Sequence, residues 1–273
     1  KKQNPKGLFI NSVDLFFRQK HTSNTTTIQT PVSVQIRPVR NNLPSSNLII
    51  PFSEKTLRPD EVNAQSANVP STSNTSHSTT FTFDAPVYLP PDEYALCITS
   101  QSNEYQLYTA VEGNQATGTT RRITRQPNVG VLYESQNQLV PISDPERSIM
   151  FRVNRCDFTS STGTLVLSSN ATSLSSNTAN VFADVIKINT SVLEFANTSL
   201  SYSSRTTNTS GSTSATYSNI DVDQNVYLSN RIMFENAQAS EMYLKATISS
   251  TDSKVSPVID IDRFNIITIE NDI

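Results

Sequence analysis

Apolar and polar residues alternate with a period of two along residues 7–19 (GLFINSVDLFFRQ) and again along residues 79–98 (TTFTFDAPVYLPPDEYALCI), where Pro and acidic residues break the runs. Successive side chains of an extended strand point to opposite faces, so the alternation assigns an inner and an outer face and predicts antiparallel strands. Val13, Leu15 and Phe17 share one face, and Phe81, Phe83, Tyr94, Leu96 and Ile98 occupy equivalent alternating positions, so these residues are the predicted core. Strands are predicted at residues 7–19, 31–39, 79–89, 93–100, 104–111, 129–135 and 148–158, then at 181–195, 225–234, 241–250 and 258–269.

Between the strands, residues 58–63 (RPDEVN) predict a short helix or turn. Residues 61–78 are dominated by Ser, Asn, Ala and Thr. They offer too little apolar surface to offset the entropy of ordering and predict an exposed loop. From residue 159 to 180 the composition shifts to Ser, Thr and Asn around isolated Leu and Val, which predicts a linker or a shallow hairpin with two polar faces. Residues 203–218 are equally hydroxyl-rich and predict a break between strands. The expected fold is all-β. An antiparallel, jelly-roll-like β-sandwich covers residues 1–158, the linker or hairpin 159–180, and a second, smaller β-domain 181–273.

With 273 residues, 36% of them hydrophobic, the chain can bury real cores. A net charge of −3, from 21 basic and 24 acidic residues, lacks the concentrated basic face that nucleic acid requires, so no nucleic-acid partner is expected. No apolar run approaches the roughly 20 residues that span a bilayer, and residues 1–20 lack the order of a signal peptide. Membrane insertion is not expected. The chain opens on Lys-Lys-Gln-Asn-Pro without Met, which leads to the expectation of a segment from a longer polypeptide.

Reactive residue types are sparse. His21 and His77 lie in polar stretches with no metal-ligand spacing and read as exposed loop residues. Cys97 and Cys156 lie in predicted strands and read as reduced, buried small hydrophobes rather than a bridge. Asp221, Asp223 and Asn225 open like a calcium loop, but Val226 stands where the turn needs Gly and Ile232 where a bidentate Glu is needed. Asp260 and Asp262, two apart on a predicted strand, read as a surface pair partnered by Arg263. No catalytic residue, metal or cofactor is expected, and a glycosidase would need two carboxylates about 5 to 9.5 Å apart in a cleft.

Two features point to binding. Arg121, Arg122 and Arg125 (GTTRRITRQP) are the sharpest charge feature of the first domain, either a docking edge for carboxylates of a neighbouring subunit, or cations paired within the domain or on a solvated edge that deters strand addition. Tyr105 and Tyr108 (NEYQLY) offer a stacking surface for a glycan, although the absence of Trp removes the largest platform and an outward ring on a strand more often packs against a cross-strand neighbour.

The ordered series GLFINSVDLFFRQK, PVSVQIRPVRNNLPSSNLIIPFSEKTLRPDEVN, STTFTFDAPVYLPPDEYALCITSQSNEYQLYTA, GTTRRITRQPNVGVLYESQN and SIMFRVNRCDF resembles the β-sandwich region of large virion structural proteins of T4-like marine myophages. Those proteins are described as baseplate wedge or tail-fibre-associated. The resemblance covers residues 7–158, and VSPVIDIDRFNIITIEN resembles the segment that follows. It implies a multi-copy structural component of a contractile-tail virion, assembled in the host cytoplasm, with other tail or baseplate proteins as partners. No active-site motif carries over, so a non-enzymatic protein is expected, with a carbohydrate-binding module for host-surface glycan as the alternative. The resemblance also favours the interface reading of Arg121, Arg122 and Arg125.

Overall fold

The computed structural model describes residues 7–22, 29–66, 70, 74–116, 119–125, 130–135, 141–170, 181–207, 217–234 and 241–269. Among these there is no α-helix, and every pairing between strands is antiparallel, as the alternation predicts. The chain divides into two compact units, Lys1–Cys156 and Asp157–Ile273.

In the first unit, β1 (Leu8–Leu15) is the middle of a three-stranded sheet, between β13 (Phe151–Arg155) and β6 (Thr79–Leu89). The register is interrupted between Ile10 and Ser12. On β6 the interruption holds Phe83–Pro86, since Ile10 faces Val87 while Ser12 faces Thr82. Pro has no N–H to give to a ladder, so a bulge is where a strand tolerates it.

A second sheet centres on β3 (Val32–Arg40), flanked by β5 (Glu54–Leu57), β7 (Tyr94–Ser100) and the short β4 (Leu43–Pro44). The β3–β4 connection is a two-residue turn in which Asn41 and Asn42 both have positive φ, 51° and 62°. That backbone matches the strand twist and suits Asn better than most side-chain-bearing residues. Smaller pairs complete the unit: β2 (Phe17–Gln19) with β8 (Gln106–Leu107), β9 (Thr109–Val111) with β12 (Arg147–Ile149), and β10 (Leu132–Glu134) with β11 (Ile142–Asp144).

One apolar cluster takes residues from both larger sheets. Ile10, Val13, Leu15, Phe81, Phe83 and Val87 meet Val32, Val34 and Ile36, with Phe17 beside them. Tyr94, Leu96 and Ile98 pack against the cluster half-buried, so each residue of the predicted core is in or on it. Val62 belongs to it as well. Residues 62–65, read from sequence as part of an exposed loop, are instead tied down. Ala64 bridges Phe17, the Gln65 N–H donates to the Phe17 carbonyl at 2.9 Å, and the Asn63 side chain donates to the Ser78 carbonyl. The single apolar Val62 supplies the burial that the average composition of the stretch conceals.

In the second unit, β20 (Glu241–Ser250) and β17 (Thr198–Thr207) form the middle of a four-stranded sheet with β14 (Thr162–Asn170) and β18 (Ser218–Ile220) at its ends. A three-stranded sheet runs β19 (Asn225–Phe234), β15 (Val181–Asn189), β22 (Asn265–Ile269), and β16 (Val192–Leu193) pairs with β21 (Val258–Ile259). Ile188, Tyr202, Leu244 and Ala246 form the buried cluster.

Two expectations are corrected here. Residues 162–170 are not a linker or half of a local hairpin. They pair along their whole length with β20, far away in sequence, while residues 171–180 lie outside the described residues. Residues 203–207 likewise continue β17 rather than breaking the strands. In both, a few inward residues, Leu165 on one and Leu200 and Tyr202 on the other, pack on the core. Hydroxyl side chains occupy much of the outward face, and Thr in particular fits a pleated, half-buried surface.

Candidate interaction surfaces

The sheet of the first unit is unevenly covered. Pairing aligns Val153 of β13, Val13 of β1 and Phe81 of β6 in one row, and Phe151, Leu15 and Thr79 in the next. Cross-strand neighbours in register lie on the same face of a sheet. Val13 and Phe81 are 0% exposed, yet Val153 is 47% and Phe151 38% exposed. The face that forms the core therefore runs out to β13 and ends in two uncovered apolar side chains. Among the described residues, β13 pairs only with β1 and no strand lies on its other edge.

The opposite face of the same strands is polar and closed. Asp14 is buried, accepts a hydrogen bond from Thr80 Oγ1 at 2.8 Å, and pairs with Arg152 at 3.4 Å. Asn154 donates to Ser12 Oγ at 3.1 Å. These contacts clamp β13 to β1 across a pair of bulged strands, so the exposed Phe151 and Val153 are held on a fixed strand.

A second apolar feature is the tip of residues 45–53. Arg37 Nη1 donates to the carbonyls of Ser45 and Ser46, Ile50 N–H donates to the Ile36 carbonyl, and the buried Ser53 hydroxyl lies 2.7 Å from the Ile50 carbonyl and 3.1 Å from that of Ile36, either of which can take its one proton. On this scaffold Leu48 and Ile49 face solvent, and Phe52, 69% exposed, sits at φ 62°. A left-handed conformation costs an aromatic residue about 1–2 kcal/mol, and such strain concentrates at functional positions.

Arg121 and Arg122 lie on a hairpin-shaped loop in which Ala116 N–H donates to the Arg121 carbonyl, Ile123 N–H to the Asn114 carbonyl, and Gln115 bridges Arg122. Arg125 follows directly. All three are exposed, and among the described residues none of the three guanidiniums has an ion-pair or hydrogen-bond partner.

The two tyrosines proposed for glycan stacking are turned inward instead. Tyr105 donates its phenol to the Thr30 carbonyl at 2.7 Å and packs edge-on against Phe17, with centroids 5.9 Å apart. Tyr108 donates to the Gln65 carbonyl. Burial raises the Tyr105 pKa. Each ring anchors a distant loop, which explains aromatic residues in a polar stretch without a ligand.

His21 is not an open loop residue. It is half-buried, with Nδ1 3.0 Å from Ser102 Oγ and 3.2 Å from Glu104 Oε2, and the Thr22 N–H also donates to Glu104. That backbone N–H, helped by His21, holds the Glu104 carboxyl below its usual range. His77 ends a short 3₁₀ turn beside Asn74. Cys97 and Cys156 are unbridged and half-buried, and burial pushes both thiols up.

The acidic candidates resolve as structural groups. Asp223 accepts hydrogen bonds from Thr190 N–H and Oγ1, tying together two segments 33 residues apart in sequence. Asp260 and Asp262 are not a strand pair: Asp260 caps a 3₁₀ turn, Ile261–Arg263, accepting from the Asp262 N–H and lying 3.5 Å from Arg263. Among the described residues no group of three His, Cys, Asp or Glu could hold a metal ion, and no helix is long and apolar enough to cross a membrane.

Neither the β13 edge nor the Phe52 tip is named by the sequence reading, which predicts a strand at 148–158 but cannot rank strands as central or peripheral. No family model and no curated protein matches the chain. A solved structure, the infectious bursal disease virus VP2 subviral particle, aligns at TM-score 0.16 and 11% identity, over 96% of this chain and 56% of that one. The chain thus spans little more than half of that neighbour, and a likeness at this level supports neither a fold nor a function.

Proposed function

We propose that this chain is a non-enzymatic structural protein of a bacteriophage tail, baseplate or tail fibre, and that it works by burying matched surface against neighbouring virion subunits. The observation that carries the reading is the run-out of the first unit's core at Phe151 and Val153. Apolar rows buried on two strands and bare on the third are what a surface looks like when a neighbour completes it, since interface cores resemble a protein interior. The Phe52 tip and the exposed Arg121, Arg122 and Arg125 add an apolar anchor and carboxylate-seeking charge, two side-chain classes enriched at interfaces. Two sheets sharing one core support a sandwich, and the ordered motif series supports the virion assignment.

The test is assembly. Light scattering on the purified chain, and electron microscopy of particles containing it, should show a multi-copy component. Val153→Asp and Phe151→Asp should leave a folded protein that fails to join. A wild-type chain that stays monomeric at high concentration and is absent from particles would refute the proposal.

A further inference from the structure

The outer face of the β14–β20–β17–β18 sheet carries a cluster that the assembly reading does not use. Register places Arg205 of β17 opposite Tyr243 of β20, and Ser203 opposite both Lys245 and Asn219. The Arg205 guanidinium lies 4.5 Å from the Tyr243 ring centroid and 4.9 Å from that of Tyr217, and Lys245 Nζ lies 4.4 Å from the same Tyr217 centroid. Two cations therefore share one ring. Together the long side chains bury Ser203 to 6% exposure on a face that otherwise looks outward.

Among the described residues neither Arg205 nor Lys245 has a carboxylate partner, and Arg205 Nε is buried with no hydrogen-bond acceptor. A guanidinium fixed between rings keeps its donor fork aimed and loses little freedom on binding, which is how planar anions are selected. The surroundings narrow the class of ligand. Beside the cluster run hydroxyls in cross-strand register, Thr162, Thr164, Ser199, Ser201, Thr247 and Ser249, interrupted by the exposed Val166 opposite Lys245. Protein partners dock on an apolar core, whereas a hydroxyl surface with tyrosines suits a polyhydroxylated chain.

We propose that Arg205, Lys245, Tyr217 and Tyr243 form a site for an anionic saccharide, the cations taking its carboxylate or sulfate and the neighbouring hydroxyls its sugar oxygens. The site lies on the second unit and does not depend on the assembly reading. Calorimetric titration of the whole chain with a sulfated heparin hexasaccharide, an oligogalacturonate, neutral maltohexaose and hexaglutamate separates the possibilities. One or both anionic saccharides should bind, more weakly as salt is raised. Arg205→Gln and Lys245→Gln should each weaken binding roughly tenfold or more, the range of a lost charge-assisted bond, while Arg205→Lys weakens it less. Unchanged melting of Lys245→Gln controls for folding. The proposal is overturned if neither anionic saccharide binds, if both Gln variants bind as wild type does, or if hexaglutamate binds as tightly as the saccharides.

Discussion

Val13 and Val153 are the same residue type in the same row of the same sheet, and they should behave oppositely in the isolated protein. Val13→Ala removes two fully buried methyl-sized groups at about 0.8 kcal/mol each and leaves a gap among Phe81, Leu15 and Val34, for a total of about 2–3 kcal/mol. Val153→Ala removes the same atoms from a side chain already 47% exposed and leaves no enclosed cavity, for under about 1 kcal/mol. For a unit of this size each kcal/mol moves the melting temperature by about 2–4 °C, so calorimetry on the dilute monomer separates the two variants. Both should weaken assembly, Val13→Ala through the fold and Val153→Ala through lost contact. If Val153→Ala destabilises the monomer as much as Val13→Ala, β13 is already covered within the chain, and the case for an exposed core edge collapses.

Gly7 has φ +78°, and a Cβ there would fall on the Leu89 carbonyl oxygen and 2.8 Å from the Tyr88 ring. Gly7→Ala should therefore cost about 2 kcal/mol or more in denaturant midpoint; a neutral result would mean the β1 entry is misplaced. The Glu104 carboxyl is held below its unfolded value of 4.5, so its contribution to stability is full above pH 4.5 and is lost as pH falls through the folded value. Denaturation curves of wild type and Glu104→Gln should converge as pH drops below about 4.5, and a gap independent of pH would contradict this. Raised thiol pKa values predict that Cys97 and Cys156 react with a disulfide reagent more slowly at pH 7 than in the unfolded chain; equal rates would show both to be open.

Strands with a strong period-two signal were legible from sequence. Thr79–Leu89 was predicted with its bounds, and the residues assigned to its inner face, Phe81 and Phe83, are buried. Strands built on hydroxyls were not. In β17 only Leu200 and Tyr202 are apolar on the inner face while Ser and Thr fill the rest of the strand apart from Arg205, so average composition outweighed periodicity. The interaction surfaces were less legible still, because exposure of Val153 depends on which strand happens to end the sheet, and Arg205 meets Tyr243 only through a long-range register. Tyr105 and Tyr108 show the converse error. A chain pattern can mark a ring as outward, yet a loop elsewhere supplies a carbonyl that draws it in.

Strand β14 has a consequence for handling the protein. Among the described residues it pairs only with β20, at the end of the four-stranded sheet, and its nine residues, Thr162–Asn170, carry no Lys, Pro, bulge or charge. These are the devices by which natural proteins blunt an edge against pairing with another chain. A β14 that is unprotected in isolation is a nucleus for sticking, so recombinant yield should depend on what is co-expressed, and a solubilising Lys in place of exposed Val166 is the first change to make.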